Sequence, residues 1–326
     1  MRSRLLIASV SCLLLGLVVG GTALAGNGGL GPPPADSPNG GRINDAYWLI
    51  AIFTGFIFVL VEGALIVFIV RFRRRGRGRM VEGPQIHGST RLELIWTVVP
   101  VVILAFIGTF VFYKLPGIKD VPSASAANRL NVKVEGRQFY WEFRYANGAV
   151  AVDELRVPVG EVVTLDVYAL DSDVIHSWWV PRLGGKVDAI PGKTNHTWLR
   201  AKNPGRFRIR CAELCGLQHA AMLGWVTALP RDEFERWYSG RASKAQSTGL
   251  GRETFEGVCL KCHRLSGSTL YGPTLGRNAT LKDPNALKTL VREGRGRMPA
   301  VGKDWPDTQL DALVAYAKTA GASSGS

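Results

Sequence analysis

Apolar residues follow three successive patterns along this chain: long runs, then strict alternation, then helical spacing. Ala46 to Val70 and Leu92 to Tyr113 are apolar runs, each long enough to cross a hydrocarbon core of roughly 30 Å as a helix. Together they predict a membrane hairpin over 43–115. A third run, Leu5 to Val19, follows Arg2 and Arg4 and precedes Ala23-Leu-Ala25. Residues 1–25 therefore read as a signal peptide cut after Ala25, with an uncleaved first helix as the alternative. Cys12 falls inside that segment without a convincing lipoprotein context.

From about residue 128 the period changes to two. Leu130 to Val134, Val162 to Tyr168 and Arg206 to Arg210 alternate, and Asn147-Gly148 and Pro204-Gly205 supply turns. This predicts an all-β sandwich or barrel over 128–238. Ser239 to Gly251 is small and polar with no periodic pattern, and reads as a flexible tether over 239–251. Val121 to Ala127 reads as a shorter linker. The remaining stretch, 252–322, is helical in pattern: Leu310, Leu313, Val314 and Ala317 recur at helical spacing behind an expected Asp307 N-cap. The fold class is thus a multidomain membrane protein with a two-helix hairpin, an all-β domain and a small all-α domain.

Charge changes this picture little. The chain has 326 residues and a formal net charge of +14, a balance that can mark nucleic-acid binding. Six of its arginines, however, lie between Arg71 and Arg79, just beyond the first membrane run. By the positive-inside rule that loop is cytoplasmic, which leaves the N-terminus and everything after Lys114 outside. Those basic residues are topological, not a nucleic-acid patch, so no nucleic-acid partner is expected. Between Arg129 and Trp237 there are 15 Lys plus Arg and 13 Asp plus Glu, a near balance that gives a charged soluble donor little net field to follow.

Beyond Cys12 there are four cysteines, in two pairs. Exported cysteines form disulfides by default, but both pairs have stronger readings. Cys259-Leu-Lys-Cys262-His263 is the attachment sequence of a c-type haem, in which two thioethers hold the macrocycle and His263 ligates iron. Met298, in Arg297-Met298-Pro299, is the candidate sixth ligand. A zinc site is the alternative for Cys259 and Cys262, yet no Cys or His follows His263. With Tyr271-Gly-Pro-Thr-Leu275, these residues resemble a small class I cytochrome c.

Cys211-Ala-Glu213-Leu-Cys215-Gly-Leu-Gln-His219-Ala-Ala-Met222 puts two thiols, an imidazole and a thioether within one loop. His176, in Asp173-Val-Ile-His176-Ser-Trp-Trp, offers a second imidazole. Such soft donors favour copper over hard cations; a local Cys211–Cys215 disulfide is the alternative. Of the four methionines, Met222 and Met298 both fall where a metal would take a thioether. His196 sits in an alternating run and reads as a surface strand residue, and His87 lies in the hairpin loop.

Cys-x-Glu-x-Cys-x3-His-x2-Met after an upstream His-Ser-Trp resembles the CuA loop of cytochrome c oxidase subunit II. The likeness extends to Val187-Asp188-Ala-Ile-Pro-Gly192, to Gly136-Arg-Gln-Phe-Tyr-Trp141 and to Glu93-Leu-Ile-Trp-Thr97 in the hairpin. A fused haem domain is similar to that of the caa-type oxidases. The resemblance implies a cupredoxin-like domain in which Cys211 and Cys215 bridge two coppers. His176 and His219 would each bind one, Met222 would ligate weakly, and Glu213 would contribute its carbonyl. The Glu213 side chain would face a Mg2+ shared with subunit I. Electrons would pass from haem c, attached at Cys259 and Cys262 and ligated by His263 and Met298, to CuA and on to haem in subunit I, where O2 is reduced with proton translocation.

The resemblance also implies partners: subunit I, subunit III, and an upstream cytochrome or quinol:cytochrome c reductase as donor. It places the protein in a bacterial cell membrane with the CuA and cytochrome domains on the periplasmic side. Glu93 matches a family position thought to open a proton channel, and Thr90-x-x-Glu93 equally fits a capping box. Phe139, Tyr140 and Trp141 form the aromatic segment; Phe139 stands where oxidases served by a soluble cytochrome c carry a Trp, and lacks its indole N–H. Two other readings share the copper loop or the anchor: a CuA-containing nitric or nitrous oxide reductase, and a free-standing membrane-anchored electron carrier.

Overall fold

The computed structural model describes residues 31–73, 85, 87–122, 129–243, 248–276 and 278–323. The signal segment, Cys12, most of the arginine loop, most of Val121 to Ala127 and residues 244–247 lie outside the described residues. The chain divides into two compact units, one built on Gly41–Ile118 and the other joining Pro34–Gly40 to Lys119–Ser326.

The first unit is a pair of long helices, α1 (Pro38–Arg71) and α2 (Thr90–Lys114), followed by a short turn of helix, α3 (Pro116–Lys119). Both long helices are apolar enough to cross a membrane, with mean hydropathies of 2.6 and 2.5. Their Ile, Val, Leu and Phe side chains are largely exposed. Such continuous apolar surface is tolerable in lipid or against other helices, not in water. Phe53 meets Phe106 edge-on at 5.8 Å, and Lys114 pairs with Asp45 at 2.8 Å. The expected capping box is absent. Thr90 is already helical, Ser89 is the N-cap and makes no side-chain capping bond, and Glu93 N–H donates to Ser89 O.

The second unit holds a two-sheet sandwich. One sheet runs β3 (Val150–Val152), β2 (Tyr140–Tyr145), β1 (Leu130–Arg137), β5 (Val163–Ala169), β8 (Asn195–Leu199). The other runs β4 (Glu154–Pro158), β10 (Leu223–Leu229), β9 (Gly205–Cys211), β6 (His176–Trp179), β7 (Val187–Ala189). Alternation survives cleanly on β5 and β9, where every second residue enters the core. Val134, Trp141, Phe143, Leu165, Trp178 and Ile209 fill the space between the sheets. His196 on β8 is exposed and meets Asp166 at 2.7 Å, as a surface residue would.

Alternation fails on β1 and β2. Glu135, Arg137, Tyr140 and Glu142 are buried although their neighbours already face the sandwich core. Glu135 and Arg137 pair with each other, whereas Tyr140 and Glu142 on β2 are covered by the C-terminal domain. Its helices are α5 (Thr248–Val258), α6 (Pro284–Glu293) and α7 (Asp307–Ser323). Tyr140 and Val152 share one apolar cluster with Phe255, Leu287, Trp305 and Leu313. Glu142 pairs with Arg144 and accepts from Gln309 Nε2 at 3.2 Å, so its buried carboxylate is paired and hydrogen-bonded.

Two sequence expectations change here, and one further contact carried no expectation. Residues 239–243 are not tether but the end of a helix, α4 (Arg231–Ser243), and 248–251 already belong to α5. Both stretches are held: Arg241 pairs with Glu253 and donates to Val150 O at 2.9 Å, and Phe234 of α4 is buried against the sandwich. Composition hid this, because the anchors lie in distant segments. Asp307 is the first residue of α7 and pairs with Arg292 at 2.7 Å instead of preceding the helix. Finally, Pro34–Gly40 belongs to the sandwich unit: Ser37 Oγ donates to Leu183 O at 2.6 Å and Asn39 Nδ2 to Trp198 O at 2.8 Å.

Candidate metal centres

β9 ends at Cys211, and the loop to β10 carries the remaining donors past a single 3-10 turn, His219–Ala221. β6 lies beside β9, with Trp178 opposite Cys211, so His176 enters from the neighbouring strand. Cys211 Sγ lies 3.8 Å from Cys215 Sγ and 4.0 Å from His176 Nδ1. Cys215 Sγ is 3.5 Å from His219 Nδ1 and 3.8 Å from Met222 Sδ. Glu213 O is 3.2 Å from Cys211 Sγ. A sulfur separation of 3.8 Å is far from the roughly 2.05 Å of a disulfide, and both thiols are free.

Six donors named in the sequence therefore converge. Two thiols, two imidazoles, a thioether and one carbonyl form a soft set that fits copper. Among the described residues, His176, Cys211 and Cys215 are the one group of three such ligands within 4.8 Å of one another. The Glu213 side chain is exposed.

The electrostatics single out Cys211 as the thiolate, while the second thiol and His176 hold their protons more tightly. The Cys211 thiol is pushed down by the hydrogen bond from Cys215, with His176 adding to the effect; Cys215 is pushed up as its counterpart. Burial disfavours the His176 cation, but the Asp173 carboxylate and Cys211 together outweigh it and raise the imidazole. His176 Nε2 lies 3.1 Å from Asp173 Oδ1, leaving Nδ1 on the sulfur side. Such outer partners fix ring orientation.

Two positioning residues escaped sequence reasoning. Asp173 was visible only as the start of the His176 motif, three residues upstream. Gln138 donates through Nε2 to Cys215 O at 2.6 Å, and its backbone N–H donates to Asp173 Oδ2 at 3.1 Å. Gly216 completes this corner with a φ of 123°; a Cβ there would lie 3.0 Å from Gln138 Nε2 and 3.2 Å from the Phe139 ring. Only glycine suits both the conformation and the approach.

In the C-terminal domain α5 runs directly into a 3-10 turn, Cys259–Lys261, and His263 N–H donates back to Cys259 O at 2.9 Å. One tight turn thus presents both thiols and the imidazole. His263 Nδ1 meets Pro273 O at 2.7 Å, which leaves Nε2 for iron. Gly272 packs flat on the ring; a Cβ would sit 2.3 Å from His263 Cε1. Met298 is half-buried in a closed loop in which Arg295 and Met298 exchange two backbone hydrogen bonds of 3.0 Å, between left-handed Gly294 and Gly296 and the start of the next turn. These residues fit a covalently held haem c.

Comparison with known proteins identifies the family. Residues 25–113 match the family Cytochrome C oxidase subunit II, transmembrane domain, and 148–228 match Cytochrome C oxidase subunit II, periplasmic domain. Residues 246–316 match Cytochrome C oxidase, cbb3-type, subunit III. The chain is 33% identical to cytochrome c oxidase subunit 2 of Alkalihalophilus pseudofirmus, covering 86% of this chain and 88% of that protein. It is 30% identical to the Bacillus subtilis protein of the same name, over 86% of this chain and 90% of that one. The crystal structure of the periplasmic domain of subunit II from Bradyrhizobium japonicum is 33% identical, with a TM-score of 0.33, over 34% of this chain and 91% of that one. With its hairpin, its β-sandwich and a cytochrome c domain packed on that sandwich, this chain belongs to the cytochrome c oxidase subunit 2 family.

Proposed function

We propose that this chain takes up electrons at a haem c held by Cys259, Cys262, His263 and Met298 and passes them to a binuclear CuA centre held by His176, Cys211, Glu213 O, Cys215, His219 and Met222. When bound, the two groups supply one-electron chemistry, feeding the haem of subunit I, where O2 is reduced with proton translocation. The observation that carries this reading is the convergence on the two thiols, which face each other, of one imidazole at Cys211 and of the second imidazole and the Met222 thioether at Cys215, each within hydrogen-bond or contact range of its sulfur. The chain's own part is positional. Asp173 orients His176, Pro273 O orients His263, and Gln138 braces the Cys215 carbonyl.

Further parts of the reading follow the family. Glu213 turns its exposed side chain to a Mg2+ shared with subunit I. Glu93 starts a proton path into that subunit, subunit III completes the complex, and a cytochrome or quinol:cytochrome c reductase supplies electrons. The hairpin spans the membrane twice after removal of residues 1–25, leaving both redox domains on the periplasmic side.

Purification of the complex followed by metal analysis and optical spectroscopy tests the reading. The expected result is two coppers and one covalent haem c per chain, with a multi-helix, haem-bearing partner that consumes O2. Consumption of nitric oxide but not O2 would assign the chain to a reductase instead. Isolation without any partner would favour a free-standing carrier.

A further inference from the structure

The segment Gln138 to Trp141 is gripped from both sides. On the copper side, Gln138 Nε2 donates to Cys215 O at 2.6 Å, and the Trp141 ring meets the His176 ring at 6.2 Å. On the cytochrome side, Lys261 Nζ donates to Phe139 O at 2.6 Å, while the Tyr140 hydroxyl accepts from Trp305 Nε1 and donates to Val301 O. Lys261 stands between the two haem-attachment cysteines; Val301 and Trp305 follow the candidate ligand Met298 by three and seven residues. Both edges of the haem site thus reach the same four residues.

The seat for Lys261 is built in advance. Its ammonium also bonds Asp153 Oδ2 at 2.6 Å, in a pair whose side chains are 12% and 15% exposed. Asp153 has a φ of 55°, a left-handed conformation uncommon outside Gly, Asn and Asp. Its N–H donates to Trp141 O, its Oδ1 accepts from Trp141 N–H, and its carbonyl accepts from Trp225 N–H, each at 2.8 Å. Asp153 is therefore pinned independently of the lysine, its carboxylate and N–H to β2 and its carbonyl to β10. Lys261 satisfies nothing in its own domain through these bonds; both reach the sandwich.

We propose that Lys261 is a positioning residue for electron transfer within this chain, latching the haem-attachment turn onto Phe139 so that the fused cytochrome occupies the aromatic segment. The proposal rests on the reading of the two metal centres above. It supplies a route from Cys262 or Cys259 through the Lys261 side chain to Phe139 O, along the backbone to Gln138, and from Gln138 Nε2 to Cys215. That route leaves covalent bonds only at two hydrogen bonds of 2.6 Å. In the step, one electron leaves the haem iron and one enters the copper pair; no bond is made or broken and no proton moves. The latch also accounts for Phe139: with the donor fastened in place, an indole for docking a soluble cytochrome is not needed. Because the Lys261–Asp153 pair is shielded from solvent, added salt should screen it little.

The test uses the full chain in its complex, as wild type, Lys261→Met, Lys261→Arg and Asp153→Asn. Lys261→Met keeps length without charge, and Asn keeps the left-handed backbone at 153. Amide hydrogen exchange of peptides covering 136–145 and 257–264 should accelerate at least tenfold in Lys261→Met and stay near wild type in Lys261→Arg. After rapid reduction of the haem, transfer to copper should slow at least tenfold in Lys261→Met and Asp153→Asn, with partial recovery in Lys261→Arg. Both optical spectra and both midpoint potentials should be unchanged. Unaltered exchange and transfer in Lys261→Met with both groups bound would overturn the latch. Should Lys261→Met fail to acquire haem, Asp153→Asn, outside the attachment sequence, decides by the same two readouts. Absence of haem or copper from the wild type would overturn the reading of the centres instead, and hydrogen exchange would still judge the latch.

Discussion

Trp305 Nε1 donates a 2.9 Å hydrogen bond to the Tyr140 hydroxyl inside an apolar seam, with both side chains buried and their rings 6.2 Å apart. This pair ties the loop after Met298 to the strand that carries the aromatic segment. Because the pair joins the two domains across a buried seam, their unfolding should be coupled. Tyr140→Phe keeps the ring and removes the acceptor, leaving the indole N–H buried without it at a cost of about 1–3 kcal/mol. For a unit of this size that is a fall in melting temperature of roughly 2–4 °C per kcal/mol. Scanning calorimetry should show the cytochrome and sandwich transitions both moving down while the haem spectrum holds. Movement of one transition alone would show that the seam does not couple them.

Cys215→Ser should abolish copper binding and spare the haem. Its sulfur lies within 4 Å of the Cys211 and Met222 sulfurs and of His219 Nδ1, so it is the hub of the donor set. A hydroxyl is a poor copper ligand beside thiolate. Metal analysis with an optical spectrum decides, and two coppers retained in the variant would remove Cys215 from the site.

Asp173→Asn should weaken copper binding without preventing it. The carboxylate holds His176 at 3.1 Å and anchors Gln138 N–H, but touches no metal-facing atom. Loss of an outer-shell carboxylate commonly costs about 10–100-fold in metal affinity. Competition with a copper chelator gives the number. Wild-type affinity would mean that β6 alone orients the imidazole.

Both candidate donor sets stand out in the sequence where they are local: four side-chain copper candidates lie within twelve residues, and three haem candidates within five. What the sequence hid is nonlocal. The two-faced burial of β2 depends on Gln309 and Trp305, more than 160 residues away. The apparent tether is helical because Arg241 and Arg156 both find Glu253. Neither partner can be paired by spacing, since composition reports only that 239–251 is small and polar. Glu135 and Arg137 break the alternation of β1 as a buried ion pair, with Tyr168 donating to Glu135 from the neighbouring strand.

Met298→Ala should open the sixth position of the haem iron. The thioether favours ferrous iron and raises the potential, so the variant should show a lowered potential and a high-spin fraction in its optical spectrum. The closed loop around Met298 has its own backbone bonds to Arg295, which keep the fold when the side chain is cut. An unchanged low-spin spectrum and potential would take Met298 off the ligand set.

Glu93 sits in the first turn of α2, and the structure removes the capping box offered as its local explanation. Ser89, not Thr90, precedes the helix, and Glu93 contributes its backbone N–H to Ser89 O while its side chain is exposed. What remains locally is the favourable charge at a helix N-terminus, worth about 0.3–1 kcal/mol. That is too small to fix a carboxylate at a membrane surface by stability alone, and ionisable groups at such positions are functional candidates. Glu93→Gln preserves size and hydrogen bonding but cannot ionise. In the assembled complex it should reduce steady-state turnover at least tenfold while haem and copper spectra stay as in the wild type. Helix loss would instead show as poor assembly of the complex. Wild-type turnover in a correctly assembled Glu93→Gln complex would leave Glu93 with the dipole alone, and the proton path would have to start elsewhere.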